Sequence, residues 1–164
     1  GHSGPWVPLG GVSFGLFLGT GRSPDHFQKG DVNISKVLSL KPPLFATSTN
    51  MRNTFSDNEY PVVKIVRRRV PGYRGNKWKV GDYFPAACMY SGSTKKDHWS
   101  NVFPLPLTMA TDSVETVVVH LESLEHLRAE LDLRLSLVPR PYKPGLYFLD
   151  QKKLDALRGN SEIP

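Results

Sequence analysis

A chain of 164 residues, 39% hydrophobic and 22% charged, is long enough for one domain with its own core, which argues against wholesale disorder and against two comfortable domains. Gly and Pro, 14 of each, punctuate short segments throughout and favour strands and turns over long helices. The formal net charge of +6 points to an acidic partner, and no apolar run reaches the roughly 18 residues of a spanning helix, so no membrane partner is expected.

The first apolar segment, residues 12–18, reads as a Gly-rich strand. It is broken by Gly15 and flanked by Gly10, Gly11 and Gly19, and nothing basic precedes it as in a secretion signal. A chain that begins at Gly1 is read as a processed piece of a longer protein. Residues 23–30 are turn or loop, and residues 31–40, where Val32 and Ile34 alternate with Asn33 and Ser35, form a second strand. Residues 46–59 are rich in Ser, Thr and Asn and read as a long surface loop.

A third strand over residues 59–70 starts apolar and becomes basic. It turns at Pro71-Gly72, and residues 78–90 are expected to return antiparallel to it. After a polar loop at 91–101, residues 102–107 carry Pro104 and Pro106 and must lie at an edge or in a connection. The β-branched run 114–120 reads as a buried strand. Leu121, Leu124, Leu127 and Leu131 recur at helical spacing, whereas Leu131, Leu133, Leu135 and Leu137 alternate. The expectation is a short helix over 123–130 passing into a strand that ends before Pro139. Residues 146–149 form a short strand, and Asp150 caps a last helix over 151–158 that stops at Gly159-Asn160. The fold class expected is mainly β: an open barrel or strongly twisted antiparallel sheet with two short helices, as a single domain over 1–164.

The charge is local. Between Glu59 and Asp82 there are seven cations and no acid, against a net +6 for the whole chain, so the remainder nets −1. The seven are Lys64, Arg67, Arg68, Arg69, Arg74, Lys77 and Lys79. On alternating strand geometry, cations occupy both faces only beyond Val66, so that end should project past the core as a basic β-hairpin arm at about 60–82. Tyr73 and Trp78 sit among these charges, and Lys95, Lys96 and Trp99 form a smaller set that would extend the same surface. Arginine forks suit phosphate oxygens and aromatic rings stack on unpaired bases. The expected partner is nucleic acid, DNA or RNA, with cations on phosphates and Tyr73 and Trp78 on bases. A docking or assembly surface for an acidic protein is the alternative, and edge protection with Trp78 capping the core is the bland one.

Little catalytic chemistry is visible. His2, His26, His98, His120 and His126 show no metal-ligand spacing, and no phosphate-cradling loop is present. Cys88 is the sole cysteine, which excludes an intrachain disulfide and a thiolate-rich zinc site and fits a reducing compartment, cytoplasm or nucleus. Its apolar neighbours mark it as core filler. Residues 146–149 run into Asp150-Gln151-Lys152, with Glu130 and Asp132 upstream. That placement resembles the PD-(D/E)xK nuclease signature, which would imply acids holding Mg²⁺ and Lys152 steadying the attacking water. The N-cap role explains Asp150 equally well. No cofactor, metal or catalytic residue is assigned.

Overall fold

The computed structural model describes residues 31–53, 56–72, 75–92 and 97–162, so the strand and loop expected at 12–18 and 23–30 lie outside the described residues. Six strands, β1 (Asp31–Leu40), β2 (Pro43–Asn50), β3 (Pro61–Arg67), β4 (Tyr83–Ser91), β5 (Asn101–Pro106) and β6 (Gly145–Phe148), pair antiparallel in the order β5-β4-β1-β2-β3-β6. The sheet curls into an open half-barrel, and helices cover its outer face, as the mainly-β expectation holds.

Alternation along the strands sorts the core into two layers. Ile34, Leu44, Ala46, Val63 and Ile65 face outward against Leu124, Leu131, Leu135 and Val138 of the helical layer. Val37, Phe45, Phe84 and Ala86 pack together on the concave side, beside a second concave cluster of Met51, Val62, Cys88, Tyr90 and Val102. The concave face also buries hydroxyls, and each finds a partner. Ser35 Oγ and Thr47 Oγ1 lie 2.5 Å apart, as do Thr49 Oγ1 and the Tyr90 hydroxyl, and the latter also donates to Asp31 at 2.9 Å.

Those hydroxyls account for a strand where a loop was expected. The polar loop expected at 46–59 begins instead as β2, an interior strand whose residues Leu44 to Thr49 are all buried. A buried serine or threonine is satisfied where another strand supplies a hydroxyl, β1 for Thr47 and β4 for Thr49, and that partner is invisible in local composition. The connection proper is 51–60, held by Asn50 Oδ1, which accepts from the backbone N–H of Arg52 at 3.0 Å and of Tyr60 at 2.9 Å.

Residues 107–138 are helical where strands were expected. Short α1 (Leu107–Ala110) is followed by α2 (Val114–Ser123), so the β-branched run 114–120 is helix rather than buried strand. Ser113 caps it, its Oγ accepting from Thr116 N at 3.1 Å, and Glu115 lies in the first turn. Val117 and His120 face inward while Val119 is 55% exposed, the spacing of a helix face and not of a strand. A 3-10 turn (Glu125–Leu127) leads into α3 (Arg128–Leu135), so the strand expected over 131–137 is helical too, with Leu131 and Leu135 buried. The cap and the i, i+4 leucines outweigh β-propensity and the alternating pattern.

The prolines of β5 fall on an edge strand, as expected, and β6 pairs only with β3. Asp150 Oδ1 accepts from Lys152 N at 2.9 Å at the start of α4 (Gln151–Glu162), which runs through Gly159 and Asn160 instead of stopping there.

Candidate functional site

The acid-free segment is where the structure departs most from the hairpin expectation. β3 ends at Arg67, opposite Leu44, and pairs with β2 and β6; β4 pairs with β1 and β5. The two strands are therefore not partners, and 60–82 is no two-stranded arm. Each strand is interior, with a neighbour on both edges, and residues 61–63, 65 and 84–90 are buried, so neither can project as one leg of a ribbon. The described residues 68–72 and 75–82 instead belong to a connection between strands that β2 and β1 separate in the sheet.

That connection is fastened down. Val37 N donates to Asp82 O at 2.9 Å and Gly81 N to Val37 O at 2.8 Å, next to the irregularity in the β1–β2 register. Gly81 holds φ +93° in the closing turn, and Asp82 Oδ2 accepts from Lys79 N at 2.8 Å. At Gly72 a Cβ would lie 1.6 Å from the carbonyl oxygen of Asn76, so only glycine permits the close crossing there. Trp78 donates from Nε1 to Pro71 O at 2.8 Å and packs 5.7 Å from the Phe84 ring, within the concave cluster. It caps the core.

Above this cap lies a groove of about 450 Å³. Its cations are Lys41, Arg68, Arg69 and Lys77, and its apolar lining includes Val37, Leu40, Leu44, Val70 and Trp78. No carboxylate is among the described lining residues. Elsewhere Lys36, Arg52, Arg128, Arg134 and Arg158 each pair with an Asp or Glu, whereas none of the four groove cations forms such a pair among the described residues. Exposed cations around one recess, with no carboxylate among its described lining residues, set up a local positive potential.

The expected site residues are thus partly gathered and partly dispersed. Arg68, Arg69, Lys77 and Trp78 meet in the groove; Arg67 and Lys79 are exposed but do not line it. Tyr73, Arg74, Lys95 and Lys96 lie outside the described residues. Lys64 faces the concave side, where its Nζ donates to Asn101 Oδ1 at 2.9 Å and sits 5.7 Å from the Phe103 ring; desolvation there lowers its pKa. Trp99 stacks on Tyr90 and donates its backbone N–H to Met51 O at 2.7 Å, at the opposite end of the strands from Trp78. It does not extend the basic surface. Lys41 is the residue that sequence reading missed: it lies in the tight β1–β2 turn, and only the strand pairing brings it into one groove with Arg68.

The residues of the nuclease resemblance are separately engaged. Asp150 caps α4, Asp132 accepts from Lys36 Nζ at 2.7 Å and from the Tyr83 hydroxyl at 2.5 Å, and Glu130 binds Arg134 and Arg158. Among the described residues no three His, Cys, Asp or Glu side chains stand close enough to hold a metal ion. Cys88 is fully buried, and desolvation pushes its thiol up to about 12, the opposite of an activated nucleophile. His120 is buried with Nδ1 2.8 Å from Thr116 O, a structural hydrogen bond within α2.

No family model and no curated protein matches the chain. Among solved structures, one described as a "putative membrane protein" from Corynebacterium diphtheriae is similar, with a TM-score of 0.54 and 18% identity over 73% of this chain and 100% of that one. Similarity at that identity concerns the fold alone. Among the described residues here, no helix is long and apolar enough to cross a membrane.

Proposed function

We propose that this protein is a nucleic-acid-binding module whose contact surface is the groove bordered by Lys41, Arg68, Arg69 and Lys77. The observation that carries the reading is the convergence of four exposed cations on one recess with no described carboxylate in its lining. Cations so placed meet phosphate oxygens without first breaking an ion pair, and the counterions displaced from the nucleic acid drive association. The apolar lining gives bases a surface to cover. The module is non-catalytic in this reading, and its place is the cytoplasm or nucleus, where nucleic acid is met and the lone buried thiol stays reduced.

Fluorescence polarisation with labelled DNA and RNA oligonucleotides at low salt tests this directly. Binding that weakens steeply as salt rises is expected. No measurable affinity for either polymer at low salt would sink the reading. Size-exclusion mass measurement adds an independent check: a monomer co-purifying with nucleic acid agrees with it, whereas self-assembly in nucleic-acid-free preparations favours a structural or protein-docking role.

A further inference from the structure

Resting on that reading, we infer that the groove takes an unstacked nucleotide of a single strand, and not the edge of a duplex. The reason lies in the shape of the segment that carries the cations. A duplex major groove, roughly 12 Å wide and 8.5 Å deep, is read by an element that projects into it, an α-helix or a two-stranded ribbon. Here the cation-bearing connection is no ribbon. It is fastened to β1 through Val37, Gly81 and Asp82, and its charges surround a recess. A duplex is itself convex with its bases stacked inside, so against a recess it offers phosphates alone.

The chemistry of the recess fits a nucleotide in both halves. Its volume of about 450 Å³ lies in the roughly 300–1,000 Å³ range of cavities that hold small-molecule-sized groups. Val37, Leu40 and Val70 give it apolar walls, while Lys41, Arg68, Arg69 and Lys77 supply the positive charge. A base turned out of its stack buries its apolar faces on such walls while the flanking phosphates meet the cations. A duplex would leave the walls wet. Four cations also exceed what one phosphate requires, which favours a strand over a free mononucleotide.

The test compares three ligands by polarisation and competition at low salt: a ten-residue oligothymidylate, a GC-rich duplex whose strands are joined by a non-nucleotide linker so that it stays paired, and thymidine monophosphate. The single strand is expected to bind at least about tenfold tighter than either of the others. Because Trp78 also packs on Phe84, the variant is placed at Leu40, which is 54% exposed and lines the groove, so Leu40→Gln changes the wall without touching the core. Leu40→Gln is expected to weaken single-strand binding about three- to tenfold and leave duplex binding unchanged. Equal affinity for single strand and duplex, or a mononucleotide binding as tightly as the strand, overturns this inference and leaves the nucleic-acid reading standing. No binding by any polymer overturns both.

Discussion

Lys64 of β3 donates to Asn101 of β5 across 2.9 Å, joining two strands that are separated in the sheet by β4, β1 and β2. The contact is possible only because the sheet curls, so this lysine reports the half-barrel itself. Lys64→Met keeps the apolar stem and removes the bond, and should cost about 1 kcal/mol in a denaturant titration. Nucleic-acid affinity should change far less than on loss of Arg68 or Arg69, since Lys64 lies outside the groove. A large loss of binding with unchanged stability would contradict that placement.

The hydroxyls on the concave face give a second prediction. Thr47→Val leaves the Ser35 hydroxyl buried without its 2.5 Å partner and should destabilise by about 1–2 kcal/mol. Adding Ser35→Ala should recover much of that loss, because both ends of the bond are then apolar. Additive losses in the double variant, measured as a thermodynamic cycle, would show that the pair does not interact.

Residues 114–120 provide a local test of the helix that replaced the expected strand. Ser113→Ala removes the cap on Thr116 N and should lower stability by about 1 kcal/mol, with amide exchange accelerating first at 115–117. An unchanged exchange pattern would be evidence against the cap.

Acid should loosen the C-terminal helix through Glu130. Burial raises its pKa, but hydrogen bonds from Arg158 and Arg134, with their charges, outweigh this and hold it below the ordinary 4.5. A carboxyl depressed on folding contributes stability above its unfolded pKa and loses it as pH falls through the folded value. Glu130→Gln should therefore be about 1–2 kcal/mol less stable at pH 7, with the difference closing as pH drops below about 4.5. A difference that persists at pH 3 would show that packing, and not charge, is responsible.

How much of this was legible beforehand depends on whether the deciding interaction is local. β1 forms over residues 31–40 as expected, although its polar positions are not all outside (Ser35 is fully buried), Pro104 and Pro106 do mark an edge, and Asp150 does start the last helix, since each signal lies within a few residues of its effect. β2 was hidden because Thr47 and Thr49 depend on hydroxyls contributed 12 and 41 residues away. The helix at 114–123 was hidden by a valine run whose opposing signal, the Ser113 cap, is a single residue. The basic segment was legible as charge but not as shape. Strand partners are chosen by burial, and that choice turned an expected projection into a connection that brings Lys41 into one groove with Arg68.

The salt dependence of binding bears most directly on the groove. Each cation–phosphate contact contributes about 0.7–0.9 to the slope of log affinity against log salt, depending on strandedness. Replacing Arg68, Arg69 and Lys77 together with glutamine should reduce that slope by about 2–3, whereas Lys64→Met should leave it near the wild-type value. A triple variant that keeps the full slope, or a Lys64 variant that loses as much as the triple, would contradict the assignment of the phosphate contacts to this groove.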